Sequence, residues 1–322
     1  MMRRRLISAL VALAVLAALG WGAGAFALRQ GADAALRSLR DQGRGNAGAV
    51  TLAGFPGAFS LQLDTPRLHQ GLLAWQADWL RLSFPSYAPW RLRLDLSQAQ
   101  TLRIGLRQYL LVSENMHAAL MLRPGATLAL ESAAVVSGPL HASLDGGGPA
   151  MAADQLALTL AAAGGGGDYR LDASLAGFSL PVLLQAPYGL AERGELLSAR
   201  LVLGLSAPLD RHAQATAPRL LSVGVEAASL RWGEAQLAAE GAVRADANGR
   251  AEGQITLSTP DWHAVVALAL ALRLVQPPYG AALSAELAPL ASADGTLTIE
   301  LGFRGGMAWL GPVLLGAAPY LQ

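Results

Sequence analysis

Strict alternation of apolar and polar residues constrains the fold of this chain more than any other feature. In Arg91-Leu92-Arg93-Leu94-Asp95-Leu96 every second residue is leucine. The same period runs through Phe59-Ser60-Leu61-Gln62-Leu63 and Leu80-Arg81-Leu82-Ser83-Phe84. It returns at 102–106, 156–160, 170–175, 222–226, 254–258 and 296–303. Successive side chains of a strand point to opposite faces, so each segment builds one dry and one wet sheet surface. Antiparallel sheets carry that asymmetry; parallel ones, covered on both faces, do not. Turn residues punctuate the pattern. Asp145-Gly146, Asn248-Gly249 and Asp294-Gly295 read as hairpin turns, because glycine tolerates positive φ. Gly164 to Gly167 reads as a loop; it lacks the strand–loop–helix framing and the Lys-Ser/Thr of a phosphate cradle.

The start of the chain follows a different rule. Arg3, Arg4 and Arg5 precede residues 6–28, among which no charge occurs. A membrane-spanning helix needs about 20 predominantly apolar residues. Ala25-Phe26-Ala27 also has the small-x-small form of a signal cleavage site. An uncleaved anchor and a removed signal peptide are both open, and the length of the run favours the anchor. Arg29, Arg37, Arg40 and Arg44 follow closely, so arginine counting alone does not set the orientation. The short basic tail before the apolar run is the layout of an export signal. The expectation is a single-pass protein of the cytoplasmic membrane whose main domain faces the periplasm. Leu28, Ala32, Ala35, Leu36 and Leu39 keep helical spacing through 29–44, after which Gly43, Gly45 and Gly48 break it.

These patterns predict a mainly β fold of antiparallel, curved or stacked sheets. They add an N-terminal transmembrane or signal helix and one or two short helices. Thr259-Pro260-Asp261 offers a hydroxyl cap and a proline for a helix over 263–275. Residues 181–186 read as one short turn. The domain plan is 1–28 as anchor or signal, 29–48 as juxtamembrane helix and linker, and 49–322 as a β-rich domain. The Gly/Ala tract 146–163 is where that domain would part into halves.

Composition removes several function classes. Hydrophobic residues are 53% and charged residues 15%, against about 25% charged in typical domains. A disordered chain has the opposite balance. The net charge is +1, and all 24 basic residues are arginine, with no basic footprint for nucleic acid. There is no cysteine, hence no disulfide, thiolate metal site or cysteine nucleophile.

No motif carries catalytic chemistry. His69, His117, His141, His212 and His263 are too far apart in sequence for a helical metal pair. Gly204-Leu205-Ser206-Ala207-Pro208 lacks the final glycine of a hydrolase elbow. Asp95, Asp172, Glu226 and Glu300 fall in the polar phase of strands, where solubility explains them. No catalytic residue, metal or cofactor is assigned. Arg81, Arg91, Arg93, Arg103 and Arg107 form a basic group that reads as a solvated sheet face or as attraction to anionic headgroups. The aromatic group Trp75, Trp79, Phe84, Tyr87 and Trp90 reads as a core corner or as an amphiphile-binding rim, since Trp and Tyr suit surfaces apolar at one end and wet at the other.

An ordered set of weaker motifs completes the reading. It begins with Gly54-Phe55-Pro56, Pro66, Trp75-x-Ala77, Leu82 and Tyr87-x-Pro89. Trp232-Gly233, Gly241, Gly249, Gly253 and Asp261-Trp262 follow. Phe303-x-Gly305-Gly306, Leu310-Gly311-Pro312-Val313 and Ala318-Pro319 close it. Together they resemble the bacterial domain-of-unknown-function family numbered two-one-two-five, over nearly the whole chain after the leader. Gly57-Ala58 departs from it, where a bulkier or basic residue is expected. The resemblance implies an envelope protein with an N-terminal anchor and no assigned activity. The functional expectation is a non-enzymatic envelope protein that binds or transfers a lipid or amphiphile in an apolar groove. The alternatives are a scaffold that docks a protein partner and, behind it, an exported hydrolase.

Overall fold

A computed structural model describes residues 26, 28–34, 36–54, 57–144, 150–164, 166–179, 191–213, 216–272 and 274–321. The apolar run 6–28 lies almost wholly outside the described residues, as do Asp145-Gly146, the turn 181–186 and Phe55-Pro56. Among the described residues, no helix is long and apolar enough to cross a membrane. Helix α1 spans 28–41, with residue 35 outside the described set, and Gly43 follows it at φ +64°.

The chain forms two compact units, 1–121 and 122–322. The first carries β1 (Gly45–Asn46), β2 (Val50–Ala53), β3 (Ala58–Asp64), β4 (Arg67–Gln70), β5 (Leu73–Ala77), β6 (Trp79–Pro85), β7 (Arg91–Leu96), β8 (Ala99–Ile104), β9 (Arg107–Ser113) and β10 (His117–Leu122). One set pairs in the order β1-β4-β5-β8-β9 and the other in the order β2-β3-β6-β7-β10. The chain switches between sets after β1, β3, β5, β7 and β9. Buried polar side chains hold two of these switch points. Ser97, 1% exposed, accepts from the Asp78 N–H at 3.1 Å and donates to the Ala99 carbonyl at 2.8 Å. Gln100 donates to the Ser97 carbonyl and the Ser113 hydroxyl, both at 3.3 Å. These bonds satisfy groups that would otherwise be costly to bury. In the second set, alternation puts Leu52, Leu61, Leu82, Leu94 and Ala118 opposite one another on one face.

The second unit carries β11 (Leu130–Ser137), β12 (Leu140–Leu144), β13 (Ala150–Ala153), β14 (Gln155–Ala162), β15 (Asp168–Phe178), β16 (Gly194–Leu205), β17 (Leu220–Trp232), β18 (Ala235–Ala245), β19 (Ala251–Thr259), β20 (Leu297–Arg304), β21 (Met307–Leu310) and β22 (Val313–Ala317). β12 and β13 pair antiparallel. From β14 to β22 each strand pairs antiparallel with the next in sequence, and β11 pairs with β14. The tract 146–163 therefore contains β14, inside this unit. The antiparallel, mainly β expectation holds. The segment expected over 102–106 ends as a strand at Ile104, because Gly105-Leu106 forms the turn.

Two expectations need correction. The helix after β19 is α2, Trp262–Ala271, shorter than 263–275. Its cap is Asp261, whose carboxylate accepts from the His263 and Ala264 N–H groups. Thr259 does not cap it; its hydroxyl accepts from the Asp261 N–H one step upstream. A second helix, α3 (Pro277–Leu287), follows with proline in its first turn, where a missing N–H costs nothing. Asn248-Gly249 joins β18 to β19 as a hairpin. Asp294-Gly295 does not make one; it turns the chain from the short 3₁₀ segment Ala288–Leu290 into β20.

α2 and α3 lie over one end of the β14–β20 strands. Leu268 packs with Phe178, Trp232 and Ala235, while Trp262 and Val266 pack with Leu287, Leu297 and Ile299. The Phe178 and Trp232 rings meet edge to face at 5.1 Å, and the Trp232 indole donates to the Ala191 carbonyl at 2.7 Å. Gly194, opposite Phe178, leaves room for that ring; any Cβ there would collide with it.

Candidate functional site

The strand register of the second unit assembles a continuous apolar face. Leu160 on β14 lies opposite Leu171 on β15, which lies opposite Leu201 on β16. The row continues through Val225 on β17, Gly241 on β18, Ile255 on β19 and Leu301 on β20. At about 4.8 Å per strand the row is roughly 29 Å long, close to the ~30 Å that two leaflets of acyl chain occupy in a bilayer. A parallel row runs Leu158, Ala173, Ala199, Ala228, Ala239, Leu257 and Ile299.

The two rows differ in cover only at their β19–β20 end. The clusters under α2 and α3 take in Leu257 and Ile299 of the second row. From Leu160 to Leu301 every member of the first row is only half-buried. Leucine, valine and isoleucine in the middle of long strands are ordinarily the residues most completely removed from water. Here they line a surface that, among the described residues, no helix of the unit covers. A bulge where Glu226 has no counterpart on β16 or β18 accentuates the bend of the sheet here.

The opposite face of the same strands is wet. Arg200 pairs with Asp172 at 3.1 Å, Arg170 with Glu226 at 3.3 Å and Arg244 with Glu252 at 3.1 Å. All these groups are substantially exposed, so each pair contributes less than about 1 kcal/mol. A depression of about 300 Å³ on this face is lined by Thr159, Asp172 and Arg200. Another of about 400 Å³ in this unit is lined by Arg231 and Thr298, and one of about 380 Å³ in the first unit by Arg29 and Asp33. No more than one carboxylate lines any of these three, and among the described residues no group of three metal-ligating side chains converges. The Thr296 hydroxyl, then the Thr296 N–H, hold the Asp294 carboxyl below the usual aspartate range.

The five aromatic residues singled out from sequence do not share one surface. Trp75 is on β5 and donates to the Gln100 side chain at 3.0 Å. Trp79 and Phe84 sit an odd number of residues apart on β6, so they point to opposite faces. Trp79 joins the wet side, with the Arg81 guanidinium 5.5 Å from its ring. Phe84 joins the apolar side and meets Phe59 at 5.5 Å between centroids. Tyr87 and Trp90 occupy the β6–β7 turn, Tyr87 79% exposed and Trp90 half-buried. The arginine group also divides. Asp95 pairs with Arg93 at 2.8 Å and lies opposite Arg81, whereas Arg103 and Arg107 flank the β8–β9 turn. Leu160, Leu171, Val225, Ile255 and Leu301 were legible in alternating segments, whereas Leu201 and Gly241 fall outside them, and only register aligns all seven across strands.

The fold and its surfaces define a predominantly antiparallel β protein with one long apolar sheet face, partly roofed by two short helices. Residues 21–319 match the family described as "Uncharacterized protein conserved in bacteria (DUF2125)", and the chain belongs to that family. No curated protein and no solved structure matches it.

Proposed function

We propose that this is a non-catalytic envelope protein that binds an amphiphile, an acyl chain above all, along the half-buried face of β14–β20. The observation that carries the reading is the uniform half-burial of the row from Leu160 to Leu301 beside a fully packed helix-covered end. A filled core would bury that row; a solvated surface would carry polar residues there. Each leucine or isoleucine side chain covered by a ligand contributes about 1.5–3 kcal/mol. The apolar run at 6–28 supports an anchor in the cytoplasmic membrane, with the β units outside it.

The test is photo-crosslinking. The purified full chain is incubated with a diazirine-bearing palmitate and irradiated, and adducts are mapped by peptide mass spectrometry. Adducts on β15, β16 and β17, lost in Leu201→Glu, are the expected result. Adducts confined to residues 6–28, or none, remove the reading.

One observation favours a second reading, protein docking. β22 ends the strand order of its unit, and Leu314 and Leu315 on it are 49% and 54% exposed. An apolar edge strand is a template for an added strand.

A further inference from the structure

Two neighbouring hairpins of the first unit present leucine at their tips. Gln70 pairs with Leu73 across Gly71-Leu72, and Ile104 pairs with Arg107 across Gly105-Leu106. Both glycines have φ +60° at the first loop position, as a two-residue type II′ turn requires. The second position of each turn then points into solvent, and a polar residue is the ordinary occupant. Here Leu72 is 79% exposed and Leu106 104%. β5 pairs with β8 so that Leu73 faces Ile104, and the Gly105 N–H donates to the Leu72 carbonyl at 2.8 Å. The two tips are therefore fixed side by side. Leu73 and Ile104 at their bases are 47% and 51% exposed, which makes one contiguous apolar prong.

Charge surrounds this prong. Arg103 and Arg107 alternate across the sheet, one on each face, and both are exposed. Neither forms an ion pair with a carboxylate among the described residues. The chain also enters the unit at this end. β1 runs antiparallel to β4, with Gly45 opposite Leu68, and the His69 N–H donates to the Arg44 carbonyl at 2.8 Å. Arg44 thus sits on the tip side of β1, directly after α1 and its Arg29, Arg37 and Arg40. Exposed leucines ringed by arginines match a bilayer with anionic headgroups: the leucines enter the acyl boundary while the guanidiniums stay among the phosphates.

We infer that the Gly71-Leu72 and Gly105-Leu106 hairpin tips insert into an anionic phospholipid surface, a membrane contact separate from residues 6–28. It does not rest on the apolar-face reading of the second unit. The absence of cysteine makes it directly measurable. Full-length Leu72→Cys, Leu106→Cys and, at the far end of β9, Glu114→Cys are each labelled with an environment-sensitive nitrobenzoxadiazole dye. The proteins are reconstituted into phosphatidylcholine vesicles with or without phosphatidylglycerol. The expected result is blue-shifted emission at 72 and 106, quenched by doxyl-labelled lipid and not by aqueous iodide, with the 114 label unchanged. That quenching is stronger with phosphatidylglycerol and falls in the Arg103→Glu/Arg107→Glu background. Labels at 72 and 106 that stay open to iodide in both vesicles overturn the inference. Equal lipid quenching in both vesicles overturns its anionic part. Shielding already present without vesicles assigns the tips to a protein contact instead.

Discussion

Ser97 shows how much one small side chain decides. It is 1% exposed and bridges the Asp78 N–H to the Ala99 carbonyl where the chain passes from one strand set to the other. Ser97→Ala removes both the acceptor of the Asp78 N–H and the donor to the Ala99 carbonyl, and the expected loss is about 0.5–1.5 kcal/mol per bond. Urea unfolding reads it directly; an unchanged midpoint would mean that water replaces the hydroxyl. Gly194 poses the opposite problem, space instead of bonding. Gly194→Ala drives a methyl into the Phe178 ring and costs about 1–3 kcal/mol by overpacking. Phe178→Leu in the same chain should recover part of that loss, which a double-mutant cycle measures. Asp294 titrates in a definite direction. Its carboxyl is held below the ordinary aspartate range by the Thr296 hydroxyl, so its contribution is present above the ordinary aspartate value. That contribution fades as pH falls through the lowered folded value. In Thr296→Val an NMR titration should show the Asp294 pKa moving back up.

At the scale of elements, α2 explains why a correct helix can be misbounded from sequence. Leu268, Leu270, Leu272 and Leu274 alternate as a strand would, yet residues 262–271 are helical. The helix is wedged between two clusters, with Leu268 in one and Val266 and Leu270 in the other. A helix buried on two sides shows no single apolar stripe, so its period is hidden. Asp261 then sets the start, because its carboxylate reaches two free N–H groups that the Thr259 hydroxyl does not. Asp261→Ala should cost about 1 kcal/mol and speed amide exchange at His263 and Ala264 first. Exchange that quickens uniformly over α2 instead would place the cap elsewhere.

At the scale of the molecule, separate surfaces carry the functional reading. The β14–β20 face offers apolar length without cover, and the paired hairpin tips offer apolar ends ringed by arginine. Leu201→Glu places a charge in the centre of the uncovered row, where a half-exposed site tolerates it structurally. Circular dichroism should remain that of a β protein while acyl crosslinking falls at least tenfold. Collapse of the fold would instead mean that Leu201 belongs to a packed core. The aromatic group at 75–90 reads from sequence as one core corner or one rim because its members are close in number. Parity along β6 and the β6–β7 turn distribute them over different surfaces.

The sequence by itself determined the β class, the direction of the dry face wherever alternation was read, the hairpin at Asn248-Gly249 and family membership. These are local or ordered signals: a period of two names a face without knowledge of any neighbour. It did not determine which dry faces join, or which of them a helix covers. Those follow from register and from where α2 and α3 come to rest, and both depend on residues far apart in the chain. The leucine at each hairpin tip was visible as a letter; its exposure, and its partner on the adjacent tip, exist only once β5 pairs with β8.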